Sequence, residues 1–248
     1  MKLTVIGCSG SVPGPDSAAS SYLVTAEGFN LILDLGSGAL GSLQRHVAVP
    51  EIGAICLTHL HPDHCMDLCG LYVAAKYAPG APIPRIPVYG PPGAAGRMAL
   101  AYDLPLDPGM EEELEFHAWQ DVQRIGPFMI RTARMVHPVP AYAIRVEHDG
   151  RSLVYTGDTG PNDTLVELAR GADLLLSEAA LPDNDPDNPT DLHLTPADAG
   201  EQAKKAGVKR LVITHVPPWY DRATQAENAR RTYSGPVDIA VPDAVFDI

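Results

Sequence analysis

Short apolar runs alternate with polar and glycine-rich stretches along the whole chain. Runs of this length, rich in β-branched residues and bounded by Gly, Pro, Asn or Asp, predict β-strands. Two of them, separated by residues 27–30, predict a hairpin. The expected strands cover residues 3–6, 22–24, 31–33, 52–57, 87–90, 129–130, 142–146, 151–159, 173–177, 210–214 and 237–241.

Apolar positions at helical spacing lie between these runs and predict helices that alternate with the strands. The clearest helix begins at Thr195, a good N-cap, with Pro196 at its first position and Gly207 closing it. The expected helices cover residues 39–46, 66–77, 94–102, 163–169, 196–206 and 223–233.

Strands followed by helices occur in two rounds, and polar residues that could carry chemistry follow strand ends in both. This order predicts an α/β fold of four layers, an αβ/βα sandwich whose two mixed sheets face each other beneath outer helices. No short-period repeat and no separable linker interrupts the 248 residues. We therefore expect a single domain spanning residues 1–248.

Composition narrows the class of protein. The formal net charge is −13, which argues against a broad phosphate-binding surface and makes a large nucleic acid an unexpected partner. A small anionic substrate is still compatible, because bound cations would dominate the local charge of a site. No apolar run approaches the ~18 residues of a membrane span, and the N-terminus lacks the features of a secretory signal. These features predict a cytoplasmic protein with no membrane partner.

The four cysteines predict no disulfide framework in a chain of this length. Cys65 and Cys69 are four residues apart on an expected helix and could share a face, most simply as small apolar residues. The acidic run at residues 111–113 is interpreted as a solvated face. His46 is interpreted as a surface residue rather than a ligand, and His117, which has no partner at metal-ligand spacing, is interpreted as structural.

The chemistry concentrates in residues 58–64, where three imidazoles and a carboxylate follow the apolar run 52–57. Imidazole suits zinc and similar divalent metals, and carboxylate suits harder ones. After a sharp turn, His59 and His61 can face one cation while Asp63 and His64 face a second. A polar loop with a chance histidine cluster is the alternative, and the scarcity of histidine disfavours it.

The order His-x-His-x-Asp-His resembles the signature of the metallo-β-lactamase superfamily. The resemblance implies three further ligands, and His137, Asp158 and His215 each follow a short β-branched run where one is expected. It covers essentially the whole chain and implies the αβ/βα sandwich of that superfamily. It also implies two divalent ions, zinc by default with manganese or iron as alternatives. The implied ligands are His59, His61, His137 and bridging Asp158 for one ion, and Asp63, His64, Asp158 and His215 for the other.

The same resemblance implies a hydrolase, because redox flavodiiron relatives carry Glu at the place of His61. In the RNase Z group, a Glu–His pair near the metals is thought to protonate the leaving group, and Glu178 and His193 match that pair. The alternatives are a capped strand end for Glu178 and a helix-entry hydrogen bond for His193. Asp63, Glu178 and His193 are thus the expected catalytic residues.

RNase Z itself carries a long arm that grips tRNA, whereas only residues 147–150 separate two strands where that arm is expected. Stretches at residues 7–16, 156–160 and 215–219 instead resemble the actinobacterial RNase Z-like enzymes described as atypical cyclic-nucleotide phosphodiesterases. The resemblance implies hydrolysis of 3′,5′-cyclic AMP to 5′-AMP by a hydroxide between the metals. A tRNA 3′-endonuclease without the arm, a thioester or lactone hydrolase, and a non-catalytic sensor stay open. Relatives of this kind also imply a homodimer.

Substrate contacts are expected from two further places. The Gly/Ser-rich loop with Ser9 and Ser11 could offer amides and hydroxyls to phosphate, or it could be a solvated connector. Trp219 could stack on a base, and the loop at residues 182–191 could cover the site, although ordinary packing explains both. Asp34 is expected either to support the metal ligands, as in the superfamily, or to cap a strand end.

Overall fold

Two mixed β-sheets carry the two halves of the chain in the computed structural model, which describes residues 1–80, 82–183 and 185–248. The first sheet contains β1 (Lys2–Ser9), β2 (Ala18–Ala19), β3 (Ser21–Ala26), β4 (Phe29–Leu33), β5 (Ala54–Cys56), β6 (Ile86–Gly90), β7 (Leu114–Ala118) and, from the C-terminus, β15 (Val245–Asp247). The second contains β8 (Val122–Ile125), β9 (Phe128–Arg134), β10 (Tyr142–His148), β11 (Arg151–Tyr155), β12 (Leu174–Glu178), β13 (Leu211–Thr214) and β14 (Val237–Ile239).

Helices connect the parallel strands and cover the outer faces of the sheets. Those of the first half are α1 (Ala39–Leu43), α2 (Pro62–Cys65), α3 (Leu68–Tyr77) and α4 (Ala94–Ala101), with a 3₁₀ turn at Val49–Glu51. Those of the second half are α5 (Asp163–Ala169), α6 (Pro196–Ala206) and α7 (Arg222–Ala229). Among the described residues, no helix has the length and apolar character needed to cross a membrane.

Three apolar layers hold these elements together. The central layer lies between the sheets and includes the fully buried rings of Tyr22, Phe128 and Tyr155. The outer layers lie between each sheet and its helices, for example around Leu71 in the first half and Leu165 in the second. Central strands such as β12 and β13 bury both faces and are therefore almost continuously apolar in the sequence. The predicted four-layer αβ/βα sandwich is confirmed.

Several predicted boundaries were wrong. The first helix ends at Leu43 rather than residue 46, and the last ends at Ala229 rather than residue 233. The helix expected at 66–77 begins at Leu68, behind a separate turn of helix, so Cys65 and Cys69 occupy different helices. The strand expected at 237–241 ends at Ile239. These errors lie at element ends, where local signals are weakest.

The acidic run was also misjudged in part. Glu113 is 9% exposed, and its carboxylate lies 3.1 Å from the ammonium of Lys76. Residues 111 and 112 are exposed, as expected of a solvated face. A run of three acidic residues at the entrance to β7 therefore turns one side chain inward, because the strand that follows packs against the core.

Strand direction brings the polar strand ends of both halves to one edge of the molecule. In the second sheet β11, β12 and β13 are parallel, so Asp158, Glu178 and His215 emerge side by side. In the first sheet β4 and β5 are parallel, and Asp34 and residues 58–64 follow them. The backbone of Tyr142 donates a hydrogen bond to the Thr58 carbonyl (3.0 Å), which joins the two sheets at this edge.

Candidate metal centre

One cluster of ligand atoms forms where residues 59–61 meet the second sheet. His59 Nε2 lies 3.0 Å from His61 Nδ1, which lies 3.3 Å from His137 Nε2. The Oδ2 atom of Asp158 is 3.6 Å from His59 Nε2. His59 is fully buried, whereas His61 and His137 are partly exposed. This cluster therefore opens to solvent on one side, and we call it the first cluster.

The second cluster lies beside the first and is buried. The Nε2 atoms of His64 and His215 are 3.2 Å apart, and Asp63 Oδ2 is 3.1 Å from the latter. Asp158 turns its other oxygen, Oδ1, to this cluster, at 3.2 Å from His64 Nε2 and 3.4 Å from His215 Nε2. The two oxygens of one carboxylate thus face the two clusters. The structure brings together all seven residues that the sequence singled out as ligands.

The donor atoms of both clusters fit divalent cations. Four tetrahedral ligands at ~2.0–2.1 Å from a zinc ion are roughly 3.4 Å apart, and the separations above are 3.0–3.6 Å. Asp158 Oδ1 is buried and has no hydrogen-bond partner among the described residues, an arrangement that is costly without a cation. The clusters are suited to a dinuclear metal site.

Asp34 holds the far side of the second cluster. It is fully buried and accepts hydrogen bonds from the Thr58 N–H (2.7 Å), the Thr58 hydroxyl (2.8 Å) and the Tyr155 hydroxyl (2.9 Å). Its Oδ2 also accepts from His64 Nδ1 at 2.7 Å, which directs His64 Nε2 toward the cluster. Of the two interpretations of Asp34, this geometry favours support of the ligands over a strand-end cap.

Other ligands are oriented by groups that the sequence did not reveal. His137 Nδ1 lies 2.9 Å from the Leu192 carbonyl, so that ring presents Nε2 to the first cluster. The Thr58 hydroxyl lies 3.1 Å from His59 Nδ1. Backbone groups and a hydroxyl carry no signal at metal-ligand spacing, so only the folded chain identifies them. Each fixes a ring in the tautomer that a metal requires.

Charge in the centre follows from burial and mutual contact. Burial lowers the pKa of His59 well below its usual value, and neighbouring His64 lowers it further, so His59 is neutral and ready to bind a metal. Burial alone would lower the pKa of His64 as well, but the surrounding carboxylates Asp158, Asp34 and Asp63 raise it well above normal. Without a cation His64 therefore carries a proton, and metal binding would release it.

A carboxylate–imidazole pair adjoins both clusters. Glu178 is fully buried, and its Oε1 accepts hydrogen bonds from the Thr159 N–H (2.7 Å) and from His193 Nδ1 (3.0 Å). His193 Nδ1 lies 3.9 Å from Asp158 Oδ2. Burial lowers the pKa of His193, but the Glu178 carboxylate outweighs it and raises that pKa to about 9. The imidazole is thus held protonated beside the clusters.

The residues expected to contact substrate differ in their position relative to the two clusters. The Ser11 N–H points at His215 Nε2 from 3.4 Å, and Ser9 pairs with Val216, the residue after His215. The Ser9 hydroxyl is buried and has no partner among the described residues. Trp219 is 62% exposed and contacts the ring of Tyr220. The structure therefore brings both serines to the second cluster and leaves Trp219 in solvent.

Two facing mixed sheets with outer helices, and two His/Asp clusters at one edge, define the class of metal-dependent hydrolases built on the αβ/βα sandwich. The chain belongs to the β-lactamase superfamily, since the family model described as "Beta-lactamase superfamily domain" matches residues 30–216.

Individual relatives support membership of this superfamily. The uncharacterised protein ML1173 of Mycobacterium leprae is 42% identical over 255 residues, covering 100% of this chain and 89% of that one. The probable metallo-hydrolase YhfI of Bacillus subtilis is 31% identical over the full length of both chains, and its crystal structure superposes with a TM-score of 0.89 over 99% of each chain. A ribonuclease Z of Mycobacterium bovis is 34% identical over 88% of this chain and 86% of that one. The chain is thus homologous to ribonuclease Z family members.

Proposed function

We propose that this protein is a dinuclear-metal phosphodiesterase that hydrolyses a small phosphodiester, with 3′,5′-cyclic AMP as substrate and 5′-AMP as product. The observation that carries the proposal is the His193–Glu178 pair beside the two clusters. Cleavage of a phosphodiester leaves an alkoxide that needs a proton. A largely buried, protonated imidazole beside the candidate metal ligands supplies that need.

The side chains divide the work between them. The seven candidate ligands would hold two divalent cations, which would supply a water of lowered pKa and neutralise charge on the phosphate oxygens. His193 would carry a proton on Nε2, aimed at the departing 3′ oxygen, while Glu178 keeps Nδ1 protonated and the ring in place. The N–H of Ser11, at the rim of the second cluster, would donate to a phosphate oxygen.

The size of the substrate is inferred from charge and from one turn. Only Asp149 and Gly150 join β10 to β11, so no arm extends between these strands. The net charge of −13 disfavours a long polyanion. A small cyclic phosphodiester needs neither an arm nor a basic surface. Zinc is the proposed native metal, since five of the seven ligands are imidazoles, and we further propose a cytoplasmic homodimer.

The homology to ribonuclease Z favours one second candidate, endonuclease cleavage at the 3′ end of precursor tRNA. The same ligands and the same Glu–His pair would serve that reaction. The two candidates differ in the surface that must hold the substrate, not in the chemistry, so a direct comparison of substrates separates them.

The test combines metal analysis with a substrate panel. Wild type, Asp63→Ala and His193→Ala would each be given cyclic AMP, cyclic GMP, 2′,3′-cyclic AMP, precursor tRNA, a thioester and a lactone. In wild type we expect two metal ions per chain at this centre and preferential hydrolysis of cyclic AMP. In Asp63→Ala we expect loss of metal binding and of hydrolysis. In His193→Ala we expect the metal to be retained and the rate to fall about 10²–10⁴-fold. Cleavage of precursor tRNA as fast as cyclic AMP would replace the first candidate with the second. Full activity in Asp63→Ala would refute the metal role.

A further inference from the structure

A further group of metal-type side chains lies at the other end of the molecule. It consists of Glu27, His148 and Asp149, whose ligand atoms all lie within 4.8 Å of one another. Glu27 sits in the turn between β3 and β4, and the other two sit at the turn between β10 and β11. β10 is 7 residues long, so roughly 20 Å, at ~3.3 Å per residue, separates this group from the Tyr142 end beside the dinuclear centre.

The imidazole of this group is about nine-tenths buried and faces the two carboxylates. The His148 side chain is only 10% exposed, and its Nε2 lies 3.8 Å from Glu27 Oε1 and 3.5 Å from Asp149 Oδ2. Both distances exceed those of hydrogen bonds, and neither ring nitrogen is hydrogen-bonded to a described residue. The separations resemble the roughly 3.4 Å between two ligands of one zinc ion. Phe128 packs edge-on against the ring, at 5.8 Å between centroids, and so restricts its orientation.

We propose that Glu27, His148 and Asp149 bind one divalent cation of the zinc, nickel or copper type, with water completing its coordination. One imidazole and two carboxylates suit such ions better than calcium or magnesium, which prefer oxygen ligands throughout. Glu27 lies in a turn that joins two strands of the first sheet, whereas His148 and Asp149 lie at a turn that joins two strands of the second. A cation here would therefore join the two sheets at the end remote from the dinuclear centre.

The surroundings predict that this site binds more weakly than the dinuclear centre. A cavity of about 490 Å³ opens beside it, and Arg124, Arg145 and Arg151 line that cavity. The positive charges of these arginines oppose binding of a nearby cation. Two of them are partly neutralised, because Arg145 pairs with Glu147 (2.7 Å) and Arg151 pairs with Asp173 (3.2 Å). Carboxylate exposure weakens the site further. The cation should therefore bind only after the seven-residue centre is filled.

Equilibrium dialysis of the full chain against graded free Zn²⁺, followed by metal analysis, tests this site. The test variant is the double substitution Glu27→Gln and Asp149→Asn, which keeps the side-chain shapes and places Asn where φ is +48°, a conformation Asn tolerates. The control is Glu115→Gln, because Glu115 lies 3.5 Å from His117 Nε2 without belonging to a three-ligand group.

We expect wild type and Glu115→Gln to take up one more zinc ion per chain than the double variant, and His148→Gln to lose the same ion. Equal uptake by wild type and the double variant would overturn the proposal, and so would loss of an ion in the Glu115→Gln control. The readout is a difference of one ion between variants. It is therefore independent of how many ions the dinuclear centre holds and of whether the protein hydrolyses a phosphodiester.

Discussion

His64 Nδ1 lies 2.7 Å from Asp34 Oδ2, in a part of the molecule where neither side chain reaches solvent. The contact ties the second cluster to β4, because Asp34 directly follows that strand. Asp34 has a positive φ of 56°, which is uncommon outside glycine and is kept here by four hydrogen bonds. A single carboxylate thus sets both the tautomer of a ligand and the path of the backbone.

We predict that Asp34→Asn weakens zinc binding about 10–100-fold. An amide can accept through only one of its two ends, so at least one of the groups that now donate to Asp34 would face an N–H. Competition with a chromogenic chelator measures the effect. Asp173→Asn is the matched control, since Asp173 is also a well-bonded carboxylate, accepting from Ser152 N–H (2.9 Å), but lies at the opposite strand end. Unchanged affinity in Asp34→Asn would show that the contact does not support the ligand.

The pH dependence of hydrolysis should report the Glu178–His193 pair. In the proposed mechanism His193 acts in its protonated form, and its pKa of about 9 in the metal-free chain would be lowered by bound cations. Activity should therefore fall as pH rises through a value below 9. Glu178→Gln removes the carboxylate that raises this pKa, so the alkaline limb of kcat/KM should move to lower pH. Glu167→Gln changes an exposed side chain and should leave the alkaline limb of kcat/KM unchanged. If Glu178→Gln also left that limb unchanged, the Glu178–His193 pair would have no part in the mechanism.

Close backbone approach makes Gly36 a sensitive position. A Cβ atom there would lie only 1.9 Å from the carbonyl oxygen of Asp63, so Gly36→Ala must displace the turn that carries two ligands. We expect this variant to destabilise the fold by more than 1 kcal/mol, as strain of this kind does, and to weaken zinc binding. Gly41→Ala is the control, because Gly41 lies in α1 with open space around it, and it should stabilise the protein by up to ~1 kcal/mol. Urea unfolding with and without zinc measures both.

Metal removal should itself lower stability, because a cation binds only the folded arrangement of residues distant in sequence. At a free zinc concentration of 100 times Kd the gain is about 2.7 kcal/mol. Chelation should therefore lower the thermal midpoint of wild type. In Asp63→Ala the same treatment should have a much smaller effect, and an equal shift in both would mean that the stabilising ion binds elsewhere.

The sequence was informative where chemistry and periodicity coincide. Residues 59–64 could be proposed as metal ligands because His and Asp at this spacing follow an apolar run, whereas His137, Asp158 and His215 were added by the family resemblance. The αβ/βα sandwich followed from the order of the apolar runs, in which strands are followed by helices in two rounds.

The rest depends on contacts between segments far apart in the chain. The edge strands β7, β8 and β15 were not predicted, because edge strands are half solvated and their sequences look like loops. The carbonyl of Leu192 that orients His137 has no sequence signature. Nor does Tyr155, whose hydroxyl reaches Asp34 across 121 positions.

The connection between β7 and β8 is where the chain first passes from one sheet to the other. A cut there would leave four ligands on the N-terminal fragment, residues 59–64, and three on the C-terminal one, His137, Asp158 and His215. Neither fragment could retain a pair of ions by itself. Zinc would therefore act as an assembly signal for the separated pieces, and the protein could serve as a metal-controlled split reporter.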